Sequence, residues 1–224
     1  MRMSEEGNNP GRIAMSLFLV VVVTIMGCWL VFDERNHAKA IAYSERGNAL
    51  SEQKRYDEAI ENYQRAIKIK VNFPKVYNNL ANALGQKGKL EEAITYYNEA
   101  IRFQSDYAEA YSNLGITLGR QGQNEEAIKQ YQKALQINPD LFRVHESLAI
   151  LLAERGDFPG AISHYQQAIN LYPGFARAHN NLGSALAQQG KFEEAIKYFE
   201  QAINIDPNYS DAQKNLELAR SFSR

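Results

Sequence analysis

The stretch EEAIKYFEQAI, residues 193–203, opens with four residues that also stand at 91–94 and 125–128. Read outward, Ala59, Ala93, Ala127, Ala161 and Ala195 follow one another at a step of 34, each with an isoleucine behind it (Ile60, Ile94, Ile128, Ile162, Ile196). The same step joins Ala66, Ala100, Ala134, Ala168 and Ala202, and Leu50, Leu84, Leu118, Leu152 and Leu186. Five units result, 40–73, 74–107, 108–141, 142–175 and 176–209, with no linker between them.

Apolar spacing inside a unit is helical twice over. Tyr111, Leu114, Gly115 and Leu118 fall at i, i+3, i+4 and i+7, and Ala127, Tyr131, Ala134 and Leu135 at i, i+4, i+7 and i+8, which gives two amphipathic helices per unit. Gly122 closes the first helix, as Gly88, Gly156 and Gly190 do elsewhere, because the residue past a helix end often needs positive φ. Pro139, Pro173 and Pro207 end the second helix in the last three units, since proline lacks the N–H and its ring clashes with the preceding turn. Asp157 followed by Pro159 marks a new helix start. Alanine and glycine at the repeated positions allow close helix approach, and Tyr63, Tyr97, Tyr131, Tyr165 and Phe199 fill the remaining space. One such unit cannot bury its apolar face alone, so the units stack. Residues 210–222, SDAQKNLELARSF, read as a capping helix with Ser210 as its N-cap and Ala212, Leu216, Ala219 and Phe222 on one side.

This pattern resembles the tetratricopeptide repeat family, through Tyr111-x-x-Leu114-Gly115-x-x-Leu118, then Ala127-x-x-x-Tyr131, then Pro139. The resemblance covers residues 40–209 and departs from the family pattern in placing Tyr43, Tyr77 and Tyr111, then His145 and His179, where a leading tryptophan is usual, and Val71 and Ser105 where proline is. It implies an all-α, right-handed α-solenoid of five helix hairpins and a cap.

Ahead of the repeats, 1–12 form a short tail and 13–32, IAMSLFLVVVVTIMGCWLVF, form an uncharged run. At ~1.5 Å per residue this run is long enough for the ~30 Å hydrocarbon core. The reading is a single transmembrane helix followed by a juxtamembrane linker, 33–39. Arg35, Lys39 and Arg46 after the span slightly outnumber Arg2 and Arg12 before it, which places the repeats on the cytoplasmic side. Two alternatives remain. Ala38-Lys39-Ala40 supplies a signal-cleavage site, although the apolar run is long for a signal peptide; Ile25-Met26-Gly27-Cys28 resembles a lipoprotein box, but an apolar Trp-Leu-Val-Phe follows it.

A formal net charge of −1 lacks the footprint of a nucleic-acid binder. The single cysteine, Cys28, cannot form a disulfide within its own chain. No catalytic group, cofactor or metal is expected. His145 and His179 share a repeat position and lie too far apart for one zinc, while Gly88-Lys89 and Gly190-Lys191 lack the rest of a phosphate loop and read as turns.

The family resemblance implies that the first helices line a concave groove holding a peptide or partner helix. The 34-residue step puts Asn48, Asn78, Asn79, Asn82, Asn113, Ile116, Arg143, Ile150, Arg177, Asn180 and Asn181 on that face, with Ser44, Ser112, Glu146 and Ser184. Asn79, Asn113 and Asn181 share one position; a carboxamide matches the donor and acceptor of a ligand's backbone, or else it stabilises the stack internally. Ile116 and Ile150, near Gly119 and Ala153, form an apolar saddle. Some relatives grip a C-terminal carboxylate, and Asn82, Asn113 and Arg143 overlap that cluster, but Asn78 and Ser147 replace the required cations. The expected function is a membrane-tethered adaptor with a protein or peptide partner and no nucleic acid. Anchored proteins of this build resemble assembly factors for photosynthetic or pigment-synthesis complexes in cyanobacteria; the alternatives are a cleaved secreted or lipidated envelope protein and a non-catalytic subunit of an enzyme complex.

Overall fold

A computed structural model describes residues 34–223. The described residues are helical, without strands, and fall into two units, one ending at Val76 and the other beginning at Tyr77. In the first, α1 is described over 34–52 and α2 spans Tyr56–Ile69. The two pack through Gly47, where a Cβ would lie 2.5 Å from the Tyr63 ring. The tight turn between them uses Lys54 at φ 59.

The second unit holds most of α3 (Pro74–Gln86), then α4 (Leu90–Phe103), α5 (Ala108–Arg120), α6 (Asn124–Ile137), α7 (Phe142–Glu154), α8 (Phe158–Leu171), α9 (Ala176–Gln188), α10 (Phe192–Ile205) and α11 (Ser210–Phe222). From α4 onward each helix packs on the next, and α9 also meets α11. The expected helical hairpins are thus present in a stacked array.

Helix ends follow from local chemistry. Gly122 takes φ 77, letting Gln123 N–H reach the Leu118 carbonyl at 2.9 Å and Gly122 N–H reach that of Gly119 at 2.9 Å. These two bonds satisfy carbonyls that the helix end would leave orphaned. In the last three units the second helix ends two residues before a proline: in α6, Asn138 N–H bonds the Ala134 carbonyl at 2.8 Å, and Pro139 cannot continue the ladder. Asp157 caps α8, accepting from Gly160 N–H at 3.1 Å, with Pro159 in the first turn.

Small residues set the core. Ala93, Ala100, Ala127, Ala134, Ala161, Ala168, Ala195 and Ala202 are wholly buried, and Tyr97, Tyr131, Tyr165 and Phe199 almost so. A Cβ on Gly115 would sit 2.6 Å from Tyr131 Cε1, and one on Gly183 2.7 Å from Phe199 Cε1. In α11 the positions that take Tyr111, Gly115 and Leu118 in α5 carry Gln213, Glu217 and Arg220. Those side chains are not buried and offer no apolar socket to another helix.

Several expectations are corrected. Ser210 begins α11 rather than capping it; Tyr209 holds the N-cap position and no side chain caps the helix. Residues 34–39, assigned to a linker, are helical and continue into α1. The span at 13–32 lies outside the described residues, as does Cys28. Among the described residues no helix is long and apolar enough to cross a membrane. The expected localisation, a single-pass membrane protein with cytoplasmic repeats, is corrected on that finding.

Candidate functional site

In the second unit, α3, α5, α7, α9 and α11 present corresponding side chains at the 34-residue step. Most of the expected polar residues turn out to be joined to one another. Asn78 is fully buried; its amide donates to Glu109 Oε1 at 3.3 Å and Asn79 Oδ1 at 3.5 Å, and its carbonyl accepts from Asn113 Nδ2 at 3.1 Å. Asn180 repeats the motif: it donates to Asn181 Oδ1 at 3.3 Å and accepts from Asn215 Nδ2 at 2.9 Å. Between these two clusters Glu146, fully buried, accepts from Arg177 Nε at 2.6 Å and also from Arg177 Nη2. That bond holds the Arg177 guanidinium above the usual arginine range. A buried carboxylate without a cation would be costly, and α9 supplies the cation to α7.

Asn82 is held from below, its Oδ1 accepting from Tyr97 O–H at 2.5 Å. Burial pushes Tyr97 and Tyr131 up to about 12, so both phenols stay neutral. In the first unit, exposed Asn48 likewise accepts from Tyr63 O–H at 2.9 Å, and Ser44 is buried. Ser147 and Ser184 donate to carbonyls one turn back, those of Arg143 at 2.9 Å and Asn180 at 3.1 Å. Arg143 is exposed, with its guanidinium 5.3 Å from the Phe142 ring centre.

Beside exposed Arg143 and Arg177, this face leaves apolar side chains open. Ile116 is 45% exposed and Ile150 half-buried, and a Cβ built on Gly119 would meet nothing within 4 Å. One cavity of about 300 Å³ lies between α7 and α9, lined by Ile150, Ala153, Phe158, Tyr165, Asn181 and neighbours. A second, of about 290 Å³, lies between α9 and α11, lined by Ala187, Phe192, Phe199, Leu218, Phe222 and neighbours. Sequence reasoning missed Leu218 and Asn215. Both were within its reach, because the step that links Ile116 to Ile150 continues through Ser184 to Leu218, and the one through Asn181 continues to Asn215.

It also missed His164. His145 Nε2 lies 2.9 Å from the Pro139 carbonyl and its Nδ1 lies 2.9 Å from His164 Nδ1. The carbonyl can only accept, so His145 carries its proton on Nε2 and His164 Nδ1–H donates. Burial pushes both imidazoles below the usual histidine range. His179 donates to Pro173 in the same way and lies against Tyr198, with ring centres 6.1 Å apart. Both histidines therefore sit in aromatic packing positions, like Tyr77 against Tyr96. Among the described residues no group of three or more metal-ligating side chains comes together.

Comparison with known proteins gives matches to tetratricopeptide repeat families at residues 47–88, 73–140, 106–174 and 147–219. No curated protein matches the sequence. Among solved structures, a MamA protein is 25% identical with a TM-score of 0.69, the match covering 77% of this chain and 94% of that one. YrrB, described as a TPR protein with an unusual peptide-binding site, is also 25% identical with a TM-score of 0.69, over 81% and 93% of the two chains. MamA from Desulfovibrio magneticus, at 18% identity and a TM-score of 0.70 over 76% and 97%, shares the fold. The likenesses support neither a membrane-anchored nor a cyanobacterial subtype.

Proposed function

We infer, because the chain belongs to the tetratricopeptide repeat family, that it is a non-catalytic adaptor holding a protein or peptide segment on the face shared by α3, α5, α7, α9 and α11. The observation that carries this reading is the row Ile116, Ile150, Leu218. It leaves large apolar side chains at one repeat position open to solvent, beside two cavities. Apolar contact area of this kind gives binding energy, while nearby amides give orientation. The likeness to YrrB, whose description names a peptide-binding site, points the same way.

Of the residues expected on this face, Ile116 and Ile150 are the proposed apolar contacts; Asn79, Asn82, Asn181 and Arg143 are the proposed polar ones. Asn78, Asn113, Arg177 and Asn180 frame the face by fixing one hairpin on the next. The framing explains why Asn113→Ala is a poor probe of binding: it would also unpin α5 from α3. A photoreactive p-benzoylphenylalanine is the better probe. Placed at 116 or 150 in the full-length chain it should crosslink to a partner, and placed at exposed Lys133 on α6 it should not.

A further inference from the structure

Resting on that reading, we propose that the α7–α9–α11 end of the face recognises an extended segment of a partner protein. This segment carries two large apolar side chains at i and i+3 with a basic residue beside them. The two cavities share Ser184 and Gln188 as a common wall, so they open on either side of α9 as one trough. Each has room for a large apolar side chain: one is lined by Phe158 and Tyr165, the other by Phe192 and Phe199.

Their spacing selects the occupant's conformation. Packed helices lie ~8–10 Å apart. A polyproline-II segment rises ~3.1 Å per residue with three residues per turn, so side chains i and i+3 point the same way about 9 Å apart. A β-strand would turn the i+3 side chain to the opposite face. Such a segment keeps its backbone carbonyls unbonded, and the trough supplies a donor. The Asn181 Oδ1 accepts from Asn180, whereas its Nδ2 makes no hydrogen bond among the described residues, and the residue lines the first cavity.

Charge sets the remaining feature. No lysine or arginine lines either cavity, and Glu154 is the one acidic side chain that does. Glu154 forms no ion pair among the described residues; its hydrogen-bond partner is Asn124, 3.4 Å away. Tyr165, pushed up by burial and next by Glu146 and Glu154, stays neutral. The trough is therefore mostly apolar, with uncharged polar groups and one unbalanced negative charge at its α7 edge, and its electrostatic complement is a lysine or arginine.

The test is to pan a random dodecapeptide phage library on the immobilised full-length chain and on its Glu154→Lys variant. Expected are sequences with two of Leu, Ile, Met or Phe at i and i+3 and an adjacent Lys or Arg, with acidic residues replacing the basic ones on Glu154→Lys. A synthetic peptide of the enriched sequence should lose about tenfold in affinity on Leu218→Ser, which removes one apolar anchor. It should lose about threefold on Glu154→Lys. Both positions are exposed, and unchanged helical circular dichroism shows that the variants fold. Enriched peptides that lack the apolar pair or ignore the charge at 154, yet are lost on Ile116→Lys, overturn this specificity and leave the adaptor face standing. Peptides indifferent to all three substitutions overturn both readings. No enrichment, together with self-association abolished by Leu218→Ser, gives the trough to a second copy of the chain and overturns the proposal.

Discussion

Arg177→Met isolates the link that ties α7 to α9. The Glu146 side chain is 1% exposed and the Arg177 side chain 56% exposed, so the substitution strands a buried carboxylate while removing a group that water largely reaches already. Breaking a buried pair by deleting one partner costs about 3–5 kcal/mol. Solvent at the arginine end weakens the attraction being lost, which brings the expected cost to about 2–3 kcal/mol. Glu146→Gln removes the other charge but keeps the volume and an acceptor for Arg177, whose head returns to water; its cost should be about 1 kcal/mol. Urea unfolding of the two variants and of the double variant gives the cycle, and an unchanged m-value would show that stability alone has moved. The asymmetry is the diagnostic. If Arg177→Met costs less than about 0.5 kcal/mol, or no more than Glu146→Gln, then the buried-carboxylate reasoning is refuted.

Two further outcomes follow from the packing. Gly115→Ala places a Cβ 2.6 Å from the Tyr131 ring. Ala81 and Ala149 occupy the same repeat position, and alanine gains about 1 kcal/mol over glycine in a helix, so this variant should be near neutral by thermal melting. Gly115→Leu should cost at least about 2 kcal/mol, because overpacking adds to ring displacement. The His145–His164 pair makes stability fall with acidification. Both folded-state values lie below the unfolded histidine value of ~6.5, so the unfolded chain binds more protons just below that pH. The pair's contribution is full above about pH 6.5 and is lost as the pH falls from there toward the lowered folded values. The double variant His145→Tyr, His164→Tyr, which copies the Tyr77 and Tyr96 pairing, should lose less melting temperature between pH 7.5 and 5; an identical loss would refute the assignment.

The fold was legible because its determinants recur. Ala127, Tyr131 and Gly122 each state a local requirement, and the same statement at a constant step leaves little room for another architecture. Lys54 shows the limit of that logic: it takes the positive φ that glycine takes in the later units, which a search for glycine passes over. Site residues were legible as a face but not in their roles. Asn78, Asn113, Asn180 and Asn215 bond at separations of 35 residues, and Glu146 bonds Arg177 at 31. These offsets depend on how one first helix sits against the next, which a unit's own periodicity does not carry. An amide that could face a ligand and one that locks two hairpins together look alike in sequence. The apolar row differs, since Ile116, Ile150 and Leu218 stand where a buried partner is missing, and only the packing reveals which positions those are.

The most direct test of the adaptor account is the crosslinking map. With p-benzoylphenylalanine substituted singly at 116, 150, 218 and 133, the account predicts partner adducts at the first three positions and none at 133. Adducts formed equally at 133, or at 133 alone, would contradict it.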